Sequence, residues 1–211
     1  MPTIEEARRW YPQDDPVHGF GHIQRVLSLA LKIGEEMGAD LEILKAAALL
    51  HDARGANPAE GEGRLRHEEA SARFARERLA EEGWAEERIR AVEHCIRAHR
   101  FRSDHPPLSM EAKILFDADK LDVNGAFGAA RTIGYALQAG QPFFAEPSLQ
   151  FKRTGENEPG EPHSAYHEYL FKLRHVRERL YTEPGRRMAE RRHKVLEAFF
   201  EQLATEARGE G

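Results

Sequence analysis

The segment from Leu41 to Asp52, LEILKAAALLHD, constrains the fold more than any other part of the chain. Its second half is apolar on every side, and a helix without a polar face is stable only when protein surrounds it. Asp40 stands where it can cap the first turn of that helix. We therefore expect a helix at the centre of the molecule that ends in a His-Asp pair.

The other periodic segments predict helices as well. β-branched residues are sparse, and no run alternates apolar and polar residues for long. The sequence predicts an all-α fold, a bundle of about eight or nine helices. The expected helical ranges are residues 4–11, 22–37, 41–52, 67–82, 85–100, 110–122, 123–139, 163–181 and 184–206.

Length and composition fit one domain. A chain of 211 residues, 40% hydrophobic and 32% charged, is long enough to bury its own core. We predict a single domain over residues 1–211, with a core at about 14–139 and closing helices over 163–206. Residues 140–162 contain Pro and Gly throughout, and irregular stretches of that length often cover a binding site.

Composition argues against several classes of function. No run reaches the roughly 18 apolar residues of a membrane span, and the first residues are too polar for a signal peptide. A net charge of −5 argues against a nucleic-acid coat protein. The single cysteine, Cys95, excludes an intramolecular disulfide, as expected of a reducing compartment. We expect a cytoplasmic protein without membrane contact, and homo-oligomerisation stays open.

Four residues in helical context could bind a metal ion. His51 and Asp52 end the buried helix, His22 opens the preceding one, and Asp119 lies near the end of another apolar helix. A buried carboxylate is costly unless it is paired or binds a cation. Two imidazoles and two carboxylates suit a divalent Mn, Fe, Co, Ni or Mg ion, whereas four protein ligands around zinc usually form a closed structural site. A buried polar network without metal is the alternative.

The order H…HD…D at residues 22, 51–52 and 119 resembles the HD superfamily of metal-dependent phosphohydrolases. Further blocks resemble one bacterial and archaeal branch, and they extend from about residue 14 to residue 203: HGFGHIQRVLSLA, AALLHDARG, RHEEASARFARERL, HCIRAHRF, EAKILFDADKLDVNGAFGAAR, HSAYHEYLFKL and GRRMAERRHKVLEAFFEQL. The resemblance implies a helical HD domain around a central metal, with His22, His51, Asp52 and Asp119 as ligands.

The same resemblance implies an activity. It points to hydrolysis of a phosphoester or phosphoanhydride in a small phosphorylated substrate, most often a nucleotide, by metal-activated water. Some members of the branch resemble nucleoside triphosphate pyrophosphatases. Two other functions stay open: a di-iron oxygenase of the HD type, and a nucleotide-binding sensor domain without catalysis.

Substrate phosphates would need cationic partners and a proton donor. The candidates for substrate binding are His18, Arg25, Arg54, Arg100 and Lys120. For Arg25 and Lys120 the alternative is an ion pair with a ligand carboxylate or a helix end. For Arg54 and Arg100 it is a solvated surface position. The candidates for catalysis are Asp52 at the metal and His67 or His99 as general acid.

The remaining histidines leave the number of metal ions open. His67, His94 and His99 could supply a second site. His94 and His99 are five positions apart, about 140° around a helix, so at most one of them should face the site. His163 and His167 are four positions apart, where a solvated pair at a helix start is expected.

Overall fold

The computed structural model describes residues 1–12, 19–54, 67–100 and 105–210. These ranges contain ten α-helices, one 3-10 helix and no strand, which confirms the all-α prediction. The α-helices are α1 Ile4–Arg8, α2 Phe20–Met37, α3 Leu41–Leu50, α4 His67–Glu81, α5 Glu86–Ala98, α6 Met110–Asp122, α7 Gly125–Gln138, α8 Leu149–Thr154, α9 Ala165–Phe171 and α10 Glu183–Ala207. The 3-10 helix Leu173–Arg179 lies between α9 and α10.

The chain divides into two compact units. The first unit contains Met1–Asp119 and Leu180–Gly185, and the second contains Lys120–Arg179 and Arg186–Gly211. The three boundaries fall within α6, directly after the 3-10 helix and within α10. The single domain over the whole chain stays a prediction. None of the helices in the described ranges is long and apolar enough to cross a bilayer.

Helix α3 is the centre of the first unit. All of its residues from Ala46 to Leu50 are fully buried, as its apolar sequence predicts. It packs against α2, α4 and α5, and α4 also packs against α5. The carboxylate of Asp40 accepts hydrogen bonds from two backbone N–H groups of the first turn, at 3.0 and 3.1 Å, which confirms the N-cap.

Residues 180–185 are held in the first unit by Asp117. Its buried carboxylate accepts hydrogen bonds from the N–H of Tyr181 at 2.9 Å and from the N–H and hydroxyl of Thr182 at 2.7 and 2.6 Å. A Cβ at Gly185 would lie 2.5 Å from Asp117 Oδ2, so the position admits no side chain. These contacts fix the turn of α6 that carries Asp119.

The second unit has a core of its own. The rings of Tyr169 and Phe200 stack with their centroids 4.6 Å apart. The other buried members of this core come from α7, α9, the 3-10 helix and α10: Ala129, Ala136, Ala165, Leu173 and Leu196. Asp122, almost fully buried, pairs with Arg131 at 2.6 Å.

Two stretches differ from the sequence expectation. The expected helix at 163–181 is α9 followed by the separate 3-10 helix. The buried Leu173 and Val176 are three positions apart, a spacing that fits both helix types, so the sequence pattern does not distinguish them. The expected irregular stretch at 140–162 contains α8. The Ser148 hydroxyl caps α8 through the N–H of Phe151 at 2.9 Å, and Gly155, with φ +76°, ends it.

Candidate metal centre

The four predicted ligands meet in the first unit. His22 comes from the first turn of α2, His51 and Asp52 directly follow α3, and Asp119 lies on α6. His22 Nε2 lies 3.4 Å from His51 Nε2, 3.4 Å from Asp119 Oδ1 and 3.8 Å from Asp52 Oδ2. His51 Nε2 lies 3.6 Å from that same oxygen of Asp52. His22, His51 and Asp52 therefore form one compact group of potential ligands, and Asp119 adjoins this group through His22.

The second oxygen of Asp52 faces two further histidines. Asp52 Oδ1 lies 3.2 Å from His67 Nε2 and 3.4 Å from His99 Nε2. The two Nε2 atoms are 3.3 Å apart. His67 begins α4 and His99 caps the end of α5, and the packing of these two helices brings the rings together. Asp52 is thus shared between two groups of potential ligands. We call them the Asp119 group, which is His22, His51, Asp52 and Asp119, and the His67 group, which is Asp52, His67 and His99.

A hydrogen bond of the same kind orients His51 and His99. Each residue follows a helix, and its Nδ1–H donates to a carbonyl of the last turn, that of Ala48 at 2.9 Å and that of Ile96 at 2.5 Å. Because a carbonyl only accepts, Nδ1 carries the proton, and Nε2 of the neutral ring presents a lone pair. A backbone carbonyl on the far ring nitrogen is the usual support of a metal-binding imidazole.

The charges of the centre are suited to binding a cation in each group. Burial lowers the pKa of His51 to about 4, so its ring is neutral at pH 7. Burial would raise the pKa of Asp52, but His51, His67 and His99 outweigh it and hold that pKa well below its ordinary value. Oδ1 of Asp52 is buried without a well-formed hydrogen bond. A carboxylate oxygen surrounded by imidazole nitrogens is a donor set that divalent transition metals bind.

The predicted substrate cations do not gather in the same way. Arg100 pairs with Glu68 at 2.8 Å, and the Arg54 guanidinium lies 3.9 Å from the centroid of the Phe74 ring. Arg25 is half-buried on α2 and Lys120 is buried on α6. His18 lies outside the described residues. Substrate binding by these five side chains stays a prediction.

Two other histidines have structural partners. His94 Nε2 accepts a hydrogen bond from the N–H of Leu108 at 3.1 Å, so of His94 and His99 only the latter faces the centre, as expected. The expectation of a solvated pair is wrong for His167, which is fully buried between the Ser164 hydroxyl at 2.7 Å and Glu161 at 3.0 Å. Glu161 lies six positions before His167, a separation that no helical spacing rule connects.

The fold and this ligand set define a helical metal-binding domain with paired histidines and aspartates. The chain belongs to the HD-domain family, whose profile matches residues 19–124. It is 30% identical to YpgQ of Bacillus subtilis over 217 residues, which cover 99% of this chain and 96% of YpgQ.

Solved structures agree with this assignment. The structure of Bacillus subtilis YpgQ in complex with ADP matches with a TM-score of 0.73 at 29% identity, over 97% of each chain. An HD-superfamily hydrolase from Bacillus thuringiensis matches with a TM-score of 0.70 at 26% identity, over 97% of this chain and 94% of that one. The chain is therefore an HD-superfamily protein of the hydrolase class.

Proposed function

We propose that the chain is a metal-dependent phosphohydrolase whose centre holds two divalent cations that share Asp52. The observation that carries this proposal is the division of the Asp52 carboxylate, with Oδ2 towards His22 and His51 and Oδ1 towards His67 and His99. The Asp119 group would supply four protein ligands and the His67 group three. Both counts leave coordination positions for water and phosphate oxygens.

The ligand types favour a transition metal. Four imidazoles and two carboxylates converge on the two groups, and imidazole nitrogen is a better ligand for Mn²⁺, Fe²⁺, Co²⁺ or Ni²⁺ than for Mg²⁺, which prefers oxygen. Zinc fits the Asp119 group less well as a catalytic ion, because four protein ligands fill its usual tetrahedral shell.

The protein's own contribution is a rigid set of donors. Divalent cations, when bound, polarise phosphoryl oxygens and lower the pKa of water. His51 and His99 keep their rings in place through their helix-end carbonyls, so no reorientation is needed when substrate arrives. Because Asp52 touches both groups, it fixes the distance between them.

His67 and His99 cannot act as metal ligands and as general acids at the same time. A ring whose Nε2 binds a cation carries no proton there and cannot act as a general acid through that atom. The proposal of two cations therefore assigns both residues to metal binding. With one cation in the Asp119 group only, either ring could instead hold a proton next to Asp52 Oδ1.

The substrate proposed is a nucleotide. Its support is the similarity to YpgQ, whose structure was solved in complex with ADP. The test is a panel of nucleoside mono-, di- and triphosphates and their deoxy forms with Mn²⁺, Co²⁺ or Mg²⁺, in which phosphate and pyrophosphate release are measured separately. Release of pyrophosphate alone would identify a nucleoside triphosphate pyrophosphatase.

Metal content decides between the proposal and its alternatives. Elemental analysis of untagged protein should give about two equivalents of divalent metal in wild type and His94→Ala, about one in His67→Ala, and none in Asp52→Ala. Metal binding and nucleotide binding without turnover across the whole panel would instead support the sensor function. Failure to bind any divalent ion after reloading would contradict the proposal.

The His67 group also supports a second candidate, a di-iron oxygenase. An oxygenase of this kind requires two neighbouring irons, and the two groups around Asp52 supply the ligands. Protein loaded anaerobically with Fe²⁺ should then take up oxygen in the presence of substrate, and His67→Ala should not. Equal phosphate release with Mn²⁺ and Fe²⁺, without oxygen uptake, would exclude this candidate.

A further inference from the structure

The second unit contains a cavity of about 470 Å³, which is within the usual range for small-molecule sites. Residues of α8, α9 and the 3-10 helix line it, and all of them belong to the second unit. None of the ligands of the metal centre is among them. The lining contains two arginines, a lysine and a histidine but no Asp or Glu, in a protein whose net charge is −5.

The two arginines of the lining differ from the arginines that form ion pairs elsewhere in the described chain. Arg153 donates from Nε to the carbonyl of Leu149 at 3.3 Å and forms no ion pair with a described carboxylate. Arg174 is exposed and likewise forms none there. By contrast Arg76, Arg88 and Arg97 each pair with two carboxylates. Lys152, also in the lining, is already paired with Glu146 at 2.9 Å. Arg153 and Arg174 therefore carry positive charge that no described carboxylate neutralises through an ion pair.

Aromatic rings form the rest of the wall. Phe151 is buried, whereas the Phe171 ring is 50% exposed although it lies in a lining. A Cβ at Gly155 would lie 2.0 Å from Phe171 Cε2, so this ring can lie over the end of α8 only because the position is glycine. Tyr166 adds a third ring. Exposed aromatic surface next to guanidinium groups is suited to a ligand with a planar ring and an anionic group.

We propose that this cavity is an accessory binding site for a nucleoside phosphate, with the phosphates on Arg153 and Arg174 and the base against Phe171 and Tyr166. Planar guanidinium groups bind phosphate oxygens through two parallel hydrogen bonds. Aromatic side chains stack on any base, so the site should discriminate little between bases. This site goes beyond the proposed hydrolase function and requires no metal.

The test is calorimetric titration of the full chain with ADP in the presence of a chelator, which removes any binding that depends on the metal centre. Wild type should bind one equivalent of ADP. Arg153→Ala/Arg174→Ala should bind it at least a hundredfold more weakly, about tenfold for each arginine. Arg191→Ala, which removes an exposed arginine from α10 of the same unit, is the matched control and should bind like wild type.

Ring and phosphate contributions can be separated with three probes. Phe171→Ala should weaken the binding of ADP about tenfold, and it should leave the weaker binding of pyrophosphate unchanged. Adenosine should bind much more weakly than ADP. Equal affinity for pyrophosphate and ADP would mean a plain anion site and would overturn the nucleoside assignment.

A further measurement separates the site from the fold and from the centre. Circular dichroism and melting curves should show that the arginine variant is as stable as wild type. In metal-loaded protein the same variant should bind one equivalent of ADP fewer than wild type and keep its metal content. ADP binding in chelator that the double substitution leaves unchanged, or no such binding at all, would refute the accessory site without affecting the hydrolase proposal.

Discussion

Substitution of Asp52 by Asn should abolish the stabilisation of the protein by metal and should also destabilise the metal-free protein. Without metal, the imidazoles of His51, His67 and His99 hold the pKa of the Asp52 carboxyl well below its ordinary value, so the ionised carboxylate stabilises the fold at neutral and alkaline pH. The side-chain amide of Asn has the same shape but no charge, so this stabilisation is lost. A hydrogen bond to a charged group contributes about 1.5–3 kcal/mol.

The expected shifts in melting temperature follow from these free energies. For a chain of this size 1 kcal/mol corresponds to about 2–4 °C in Tm, so metal-free Asp52→Asn should melt about 3–12 °C below metal-free wild type. A cation present at a hundred times its Kd stabilises by about 2.7 kcal/mol per site. Two sites should therefore raise the Tm of wild type by about 10–20 °C.

Differential scanning calorimetry at pH 8, with chelator or with Mn²⁺, measures both effects. Asp52→Asn should show no rise with Mn²⁺, and His67→Ala should keep about half of the wild-type rise, because its Asp119 group is intact. Two results would refute the reasoning: a metal-free Asp52→Asn more stable than metal-free wild type, or a rise with Mn²⁺ in Asp52→Asn equal to that of wild type.

Three further predictions concern the units themselves. Thr182→Val removes a hydrogen bond of 2.6 Å to the Asp117 carboxylate and should lower the free energy of unfolding in urea by about 1.5–3 kcal/mol. A change near zero would mean that other contacts hold the segment 180–185. Phe200→Ala should cost about 3–5 kcal/mol, because the ring is fully buried, and a cost below 1 kcal/mol would contradict its place in the core. Burial lowers the pKa of His193 in the folded protein, so on acidification the unfolded chain takes up this proton at a higher pH than the folded protein does. The free energy of unfolding should therefore fall as the pH drops below 6.5. In denaturation series from pH 7 to pH 5, His193→Gln should make this fall less steep.

Sequence periodicity predicted the helices where local signals agree with packing. Helix α6 has the bounds expected from the sequence, since its apolar spacing is regular and the Ser109 hydroxyl accepts from the N–H of Ala112 at 3.1 Å. Between residues 163 and 181 the periodicity does not predict the break between α9 and the 3-10 helix. Apolar residues three apart are compatible with both helix types, so the pattern alone cannot distinguish them.

The sequence predicts the ligands of the Asp119 group but not the way in which the two groups share Asp52. His22, His51, Asp52 and Asp119 could be named because an expensive carboxylate at the end of an apolar helix requires compensation. The division of Asp52 between two groups could not, since it depends on how α4 packs against α5. Similarly, Phe171 and Arg174 carry no motif, and only the cavity relates them.

His94 and His99 test this difference directly. They share helix α5 and its C-cap, yet His94 accepts a hydrogen bond from the N–H of Leu108, whereas His99 points Nε2 at Asp52 Oδ1 at 3.4 Å. His99→Ala should lose one of two bound cations, because a site with three protein ligands depends heavily on each of them. His94→Ala should keep both cations and lose only about 1 kcal/mol of stability, the usual value of one hydrogen bond. Elemental analysis and urea unfolding of the two variants separate the effects, and metal loss in His94→Ala equal to that in His99→Ala would show that the rings act through the stability of α5 and not through coordination.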